Sequence, residues 1–305
     1  MRRSAPLLLL PLLAGCYIAK QAEGQLHILF TQRPIEEVLA DPAVPAQAKE
    51  KLRLVRDVKE FGEREIGLSV SNNYTKYYDT GGKPVSWLVS ASAKHRFENY
   101  TWWFPIVGTV PYKGFFRRSD AVAEARSLEE DGYDVDVTPV AAYSTLGYFA
   151  DPVLSTMVDT PDEDLAALIL HELTHGTIYL AGDTNFNEKL ASFVGWQGAL
   201  EFARRRHGAG SDAYDRAVRA LAREERRARD SRDRFEKLDA LYRSDLPRAE
   251  KLRRRDEVAG RKVNNAEILM QRRYTDYALF GRAFEGVGGD WKRFFDLVRE
   301  GLPRS

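Results

Sequence analysis

The chain has 305 residues, of which 46 are Lys or Arg and 45 are Asp or Glu, giving a formal charge of +1. This balance argues against a nucleic-acid-binding protein, and the arginines at 204–206 and 223–234 are interleaved with Glu and Asp, as on a solvated helix face. Its single cysteine, Cys16, excludes an intramolecular disulfide, so a buried core must stabilise the fold.

The N-terminus has the layout of an export signal. Two arginines precede an apolar stretch at 5–13 that is too short to span a bilayer as a mature helix. The string L-A-G-C at 13–16 resembles the lipobox of bacterial lipoproteins, whose cysteine becomes the lipidated N-terminus. Loss of residues 1–15 would remove two arginines and leave 44 basic and 45 acidic residues, a formal charge of about −1.

The lipobox resemblance implies that residues 1–16 are a signal peptide with its lipidated cysteine. A lipid on Cys16 would anchor the protein to a membrane of the bacterial cell envelope, exposed to the periplasm or the cell surface. The alternative is an incidental thiol in a cytosolic protein.

The first half of the mature chain mixes helices and strands. Little periodicity and two X-Pro breaks predict a tether or a loosely packed lead-in at 20–44, and apolar residues at helical spacing predict a helix at 46–67. Alternation of apolar and polar residues predicts a β-hairpin from 68–78 and 85–92. Ser119 can cap a helix that runs to Asp131, with a strand after it that ends at Tyr143.

The second half is predicted to be helical, which makes the fold class α+β. Helices are expected at 182–206, 212–243 and 248–285. Because the last two are highly charged with few apolar positions, we expect them to form a helical hairpin packed on the preceding unit. The predicted organisation is therefore a catalytic unit at 17–208 and a helical region at 209–305.

One predicted helix is apolar around nearly its whole circumference. Thr160 can cap it, Pro161 suits its first position and Glu163 completes a capping box. Such a helix belongs in the middle of a core. It contains His171-Glu172-Leu173-Thr174-His175.

This five-residue string indicates a metal site. Two histidines four residues apart lie on one helix face, so their ring nitrogens can converge on one zinc ion. Glu172 lies one position further round, where its carboxylate can reach a water on the metal without ligating it, as a general base requires. The alternative is a pair of core histidines satisfied by hydrogen bonds, with Glu172 paired to an arginine.

A catalytic zinc site needs a third protein ligand and an open position. A glycine at 182 closes the histidine helix, and the next helix contains Asn187-Glu188-Lys189-Leu190-Ala191. Glu188, which twelve residues separate from His175, is therefore predicted to fold back beside His175 as the third ligand. Asp183 is a candidate for orienting a ligand.

The strings H-E-L-T-H and F-N-E-K-L-A resemble the zincin metallopeptidases that use glutamate as third ligand. The blocks at 105–114 and 142–147, together with the lipobox and short linker, resemble a bacterial lipoprotein family described as predicted aminopeptidases. The resemblance implies a zincin-like zinc peptidase acting on peptide or protein substrates. No G-x-M-E-N string, which in related aminopeptidases holds the substrate amine, occurs in the chain.

Two points stay open at the level of sequence. Tyr143 is a candidate donor to the oxyanion, although a core tyrosine with a satisfied hydroxyl is an equal reading. Tyr274 and Tyr277 are weaker candidates. A catalytically inactive zincin-like lipoprotein that binds peptides or scaffolds envelope partners, and a hydrolase of non-peptide bonds, are the alternatives to a peptidase.

Overall fold

The structure is a computed structural model that describes residues 10–70, 72–104, 108–140, 151–275 and 277–302, with only the backbone described at 10–16. The helices are α1 (Leu10–Thr31), α2 (Ile35–Ala40), α3 (Ala46–Phe61), α4 (Arg118–Glu130), α5 (Asp162–Thr177), α6 (Thr184–His207), α7 (Asp212–Arg243), α8 (Arg248–Ala259), α9 (Asn265–Thr275), α10 (Ala278–Gly286) and α11 (Trp291–Gly301). Among these described helices, none is long and apolar enough to cross a bilayer.

The strands form small sheets, which confirms the α+β prediction. They are β1 (Arg33–Pro34), β2 (Lys76–Tyr78), β3 (Trp87–Ala93), β4 (Trp102–Phe104), β5 (Gly108–Val110), β6 (Lys113–Phe115), β7 (Tyr133–Pro139) and β8 (Val153–Leu154). Strand β3 lies between β6 and β7 and is antiparallel to both, β4 pairs with β5, and β2 lies between antiparallel β1 and parallel β8.

The predicted hairpin at 68–78 and 85–92 is wrong, because β2 and β3 belong to different sheets. The turn between these segments bonds to a residue far along the chain: the backbone N–H of Thr80 donates to Ser155 Oγ at 2.9 Å. Strand-like composition indicated extended chain in both segments but did not determine the pairing partner.

Two longer predictions are also wrong. The tether predicted at 20–44 contains most of α1 and all of α2, and it buries Ile28 and Val38 in the core. The helix predicted at 248–285 is divided into α8, α9 and α10. Gly260 ends α8 in the left-handed conformation, with φ 66°, which glycine adopts without a Cβ penalty.

Predictions for helices with strong local signals are confirmed. Helix α7 covers 212–243 as expected, and α3 continues as a π-helical turn, Gly62–Ile66, to the predicted end at Gly67. The N-caps are less accurate: α5 begins after Pro161, and Thr160 donates its hydroxyl to the carbonyl of Met157 instead of capping the helix.

Helix α5 lies at the centre of the main core, as its sequence predicted. Its buried side chains are distributed around the helix: Leu165, Ala166, Ala167, Ile169, Leu170, Leu173 and Thr174. The same core contains residues from α1 to the C-terminal end, and Phe193 of α6 contacts Phe280 and Phe294 with ring centroids 6.4 and 5.3 Å apart. The C-terminal helices therefore share this core with the segment before 208.

Helix α6 approaches α5 unusually closely. A Cβ atom at Gly195 would lie 2.5 Å from the carbonyl oxygen of Ala167 and 3.2 Å from Cβ of His171. One turn later, a Cβ atom at Gly198 would lie 2.8 Å from Leu170 Cδ1. Two glycines on one face of α6 therefore allow the two helix backbones to come together beside His171.

A buried ion pair fixes the beginning of α9. Arg255 of α8 donates to both carboxylate oxygens of Asp134, at 2.7 and 3.0 Å, and both side chains are about nine-tenths buried. Asn265 donates its backbone N–H to Asp134 and its side-chain amide to the Ala93 carbonyl, at 2.9 and 2.8 Å. Strands β3 and β7 therefore set the position from which α9 extends.

We predict that Gly195→Ala destabilises the fold, because the added methyl group has no room between α5 and α6. Overpacking of this kind costs about 1–3 kcal/mol in the free energy of unfolding, measured by denaturant titration. Gly286→Ala is the control, since no atom lies within 4 Å of the position of its Cβ. Equal stability of both variants would contradict the close packing.

Candidate metal centre

Helix α5 brings two imidazoles together. His171 and His175 are one helical turn apart, and their Nε2 atoms lie 3.2 Å from each other. Their rings are nearly perpendicular, with centroids 4.9 Å apart. The side chains are 14% and 20% exposed, so the pair lies at the edge of the core and remains accessible.

Helix α6 adds Glu188 from its second turn. Glu188 Oε2 lies 3.2 Å from His171 Nε2 and 3.5 Å from His175 Nε2. The connection between the helices is fixed where α6 begins, because Asp183 caps this helix by accepting a hydrogen bond from the Phe186 N–H at 3.0 Å. Asp183 therefore orients the helix that carries Glu188.

Asn187 clamps the same connection. Its side chain accepts from the Leu180 N–H at 2.8 Å and donates to the Leu180 carbonyl at 2.9 Å. The amide thus satisfies both backbone groups of one residue in the short loop between α5 and α6. Because Asn187 is buried and adjacent to Glu188, this clamp fixes the position of the carboxylate.

The spacing of the three donor atoms fits a tetrahedral metal site. A zinc ion with bonds of about 2.0–2.1 Å needs neighbouring ligand atoms roughly 3.3 Å apart. The three distances between His171, His175 and Glu188 are 3.2, 3.2 and 3.5 Å. Two nitrogens and one carboxylate oxygen are also the donors of hydrolytic zinc sites, so these residues could hold such an ion.

Charge interactions within the triad favour an ionised carboxylate. Burial alone would raise the pKa of Glu188, but the hydrogen bonds and charges of His171 and His175 outweigh it and hold this pKa well below its usual range. Burial lowers the pKa of His175 and the Glu188 carboxylate raises it, and the net result is that this pKa lies above its ordinary value. The carboxylate is therefore available as a ligand at neutral pH.

Glu172 faces the same region without joining the triad. Its negative charge acts on His175, Tyr74 and Tyr274, which places its carboxylate beside the metal centre. The sequence predicted two histidine ligands on this helix and a neighbouring glutamate that does not bind the metal. The positions of His171, His175 and Glu172 on α5 are consistent with that prediction.

Tyr274, at the C-terminal end of α9, lies against the triad. Its ring centroid is 6.1 Å from that of His171, and the side chain is 38% exposed. Desolvation, followed by the charge of Glu188, raises the pKa of Tyr274 far above its ordinary value, so its hydroxyl stays protonated. The hydroxyl of Tyr277 is near Glu224 and Glu225 of α7 instead.

Tyr74 is a buried residue near Glu172 that the sequence did not indicate. It is 2% exposed and has φ 57°, a left-handed conformation that is strained for an aromatic residue. Its hydroxyl has no hydrogen-bond partner among the described residues, and burial, then the charges of Glu172 and Asp151, raise its pKa. A φ outlier at one residue cannot be read from composition.

Two predicted site residues are not tested by the geometry. Tyr143 lies outside the described residues, as do positions 105–107 and 142–147 of the blocks that carried the family resemblance. The backbone of Cys16 is in α1, but its side chain is outside the described part of the chain.

Comparison with known proteins gives one match. A family model with the description "Putative aminopeptidase" covers residues 16–261, which includes α5 and α6 and ends before α9. No curated protein and no solved structure matches the chain.

We predict that the protein lacking residues 1–16 retains about one zinc ion per chain after dialysis, measured by metal analysis. Glu188→Ala should lose most of it, because two histidines alone leave the ion short of a ligand. Glu236→Ala, which removes an exposed carboxylate from α7, should keep it. Wild-type protein free of metal after zinc reloading would contradict the site.

Proposed function

The chain belongs to the family described as "Putative aminopeptidase", and from this membership we propose that it is a zinc-dependent peptidase of the bacterial cell envelope. The observation that carries the proposal is the convergence of His171, His175 and Glu188 within ligand spacing, with Glu172 adjacent. In our proposal the surrounding fold is zincin-like. The H-E-x-x-H and N-E-x-x-A strings on successive helices, α5 and α6, support it.

The proposed mechanism uses the chain's own groups around an activated water. A bound zinc ion would lower the pKa of a coordinated water toward neutrality and polarise the scissile carbonyl. Glu172 accepts the proton of the attacking water and delivers it to the leaving amine. His171, His175 and Glu188 occupy one side of the site and leave its exposed side for the substrate.

Tyr274 is the proposed donor to the oxyanion. Its ring lies beside His171, and its phenol hydroxyl, protonated at neutral pH like that of any ordinary tyrosine, can donate a hydrogen bond. Tyr143 remains the candidate oxyanion donor that the sequence alone suggested. Tyr274 has the advantage of a position next to the ligands.

We further propose that Cys16 carries a lipid and holds the enzyme at a membrane, with the catalytic unit in the periplasm or at the cell surface. The lipobox string and the beginning of the family match at residue 16 support this assignment. Peptides or proteins present in that compartment are the proposed substrates.

We predict that Glu172→Gln keeps its zinc and loses peptide hydrolysis. Removal of a general base lowers kcat by roughly 10²- to 10⁴-fold. The measurement is cleavage of a peptide panel with free and blocked N-termini, at equal zinc content. A zinc-loaded wild type that cleaves no member would favour the inactive, peptide-binding alternative, and a fully active Glu172→Gln would remove Glu172 from the mechanism.

We predict that Tyr274→Phe lowers kcat by roughly 10²-fold with little change in KM, because the hydroxyl interacts with charge that develops in the transition state. Tyr277→Phe is the matched control, as its hydroxyl is buried without a partner among the described residues. If both variants keep wild-type kcat, the donor must be sought elsewhere.

A further inference from the structure

Arg273, immediately before Tyr274 on α9, is a buried cation with little to neutralise it. The residue is 5% exposed, and its Nε has no hydrogen-bond partner. Its one described hydrogen bond runs from Nη1 to the thioether sulfur of Met270 at 3.7 Å, and a thioether is a weak acceptor. Among the described residues, no carboxylate forms an ion pair with it. A buried charge in this state is costly unless a ligand pairs with it.

Two other arginines show how this chain satisfies such groups. Arg255, also buried, forms a two-point pair with Asp134 and donates to the carbonyls of Lys94 and Val263. Arg272 is adjacent in sequence and stacks on the ring of Phe235, 3.6 Å from its centroid. The negative end of the α9 dipole favours cations here but gives Nε no acceptor. Arg273 therefore differs from Arg255 and Arg272, because its guanidinium has no strong acceptor or stacked ring at close range among the described residues.

The position of Arg273 connects it to the metal centre. Its guanidinium carbon lies 5.4 Å from the ring centroid of Tyr112. The charges of Arg273 and Glu188 act in opposite directions on the pKa values of Tyr112 and Tyr274. Arg273 is therefore linked to the candidate triad through Tyr112, which its guanidinium contacts, and through the adjacent Tyr274, whose ring contacts that of His171.

We propose that Arg273 forms a subsite for a carboxylate of the peptide substrate. The inference rests on the peptidase function proposed above and specifies its substrate class. Guanidinium presents parallel N–H donors that match the two oxygens of a carboxylate. The subsite selects short peptides with a free C-terminus close to the scissile bond, or peptides with an acidic side chain there. The family match ends at residue 261, so it does not include Arg273.

The test compares di- and tripeptides as free acids and as C-terminal amides, using the zinc-loaded protein. We expect kcat/KM of the wild type to be roughly 10- to 100-fold higher for the acids, as befits a hydrogen-bonded charge pair. Arg273→Met should abolish this preference, and Arg273→Lys should retain part of it. Arg272→Met is the matched control and should keep the preference in full.

A second arm separates the two sources of carboxylate. Amidated peptides with Glu in place of the C-terminal residue should recover the lost rate if an acidic side chain enters the subsite, and should remain slow if the terminal carboxylate is read. Both results support a carboxylate subsite at Arg273, provided that Arg273→Met removes the effect. Equal cleavage of acids and amides by the wild type would overturn the subsite and leave the peptidase function standing.

A binding measurement tests the Arg273 subsite even if the protein shows no peptidase activity. If no peptide is cleaved, fluorescence anisotropy of a labelled tripeptide acid and its amide still tests Arg273. Acid-selective binding that is lost in Arg273→Met supports the subsite, and equal binding overturns it. Circular dichroism establishes whether each variant is folded, and the comparison of acid with amide on the wild type needs no variant.

Discussion

Close contact between α5 and α6 is the constraint on which the candidate metal centre depends. A helix can place two histidines on one face by local geometry, but the third donor must come from another element. Gly195 and Gly198 let the α6 backbone approach α5, and the Asn187 clamp closes the loop between them. Glu188 reaches the histidines because these features act together.

The C-terminal helices contribute to the site through a second, separate anchor. The pair between Arg255 and Asp134 ties α8 to β7, and Asn265 ties α9 to β3 and β7. From this fixed beginning, α9 extends until Tyr274 lies beside His171 and Arg273 lies beside Tyr112. The sequence predicted that the C-terminal helices pack on the preceding unit, and α9 brings Tyr274 to one side of the candidate centre.

Features set by local chemistry could be predicted from the sequence. The limits of α7, the buried character of α5 and the pairing of His171 with His175 follow from spacing within one element. Strand partners and the position of Tyr74 could not be predicted, and Tyr274 was only a weak candidate, because these features depend on contacts between residues far apart in the chain. Glu188 was an intermediate case, since a short loop between two helices restricts where the second can go.

Docking of α1 determines how an anchored form would move. Tyr17 donates its hydroxyl to the Gly114 carbonyl at 2.9 Å, and Gln21 donates to the same oxygen at 3.0 Å. A flexible segment at 20–44 would reach roughly 80 Å. Here Tyr17, the first residue whose side chain the structure describes, is already packed against the fold. With a lipid on Cys16, the folded protein would be confined to a thin layer at the bilayer surface. Its effective concentration toward membrane-proximal peptides would be high, and distant substrates would have to diffuse to it.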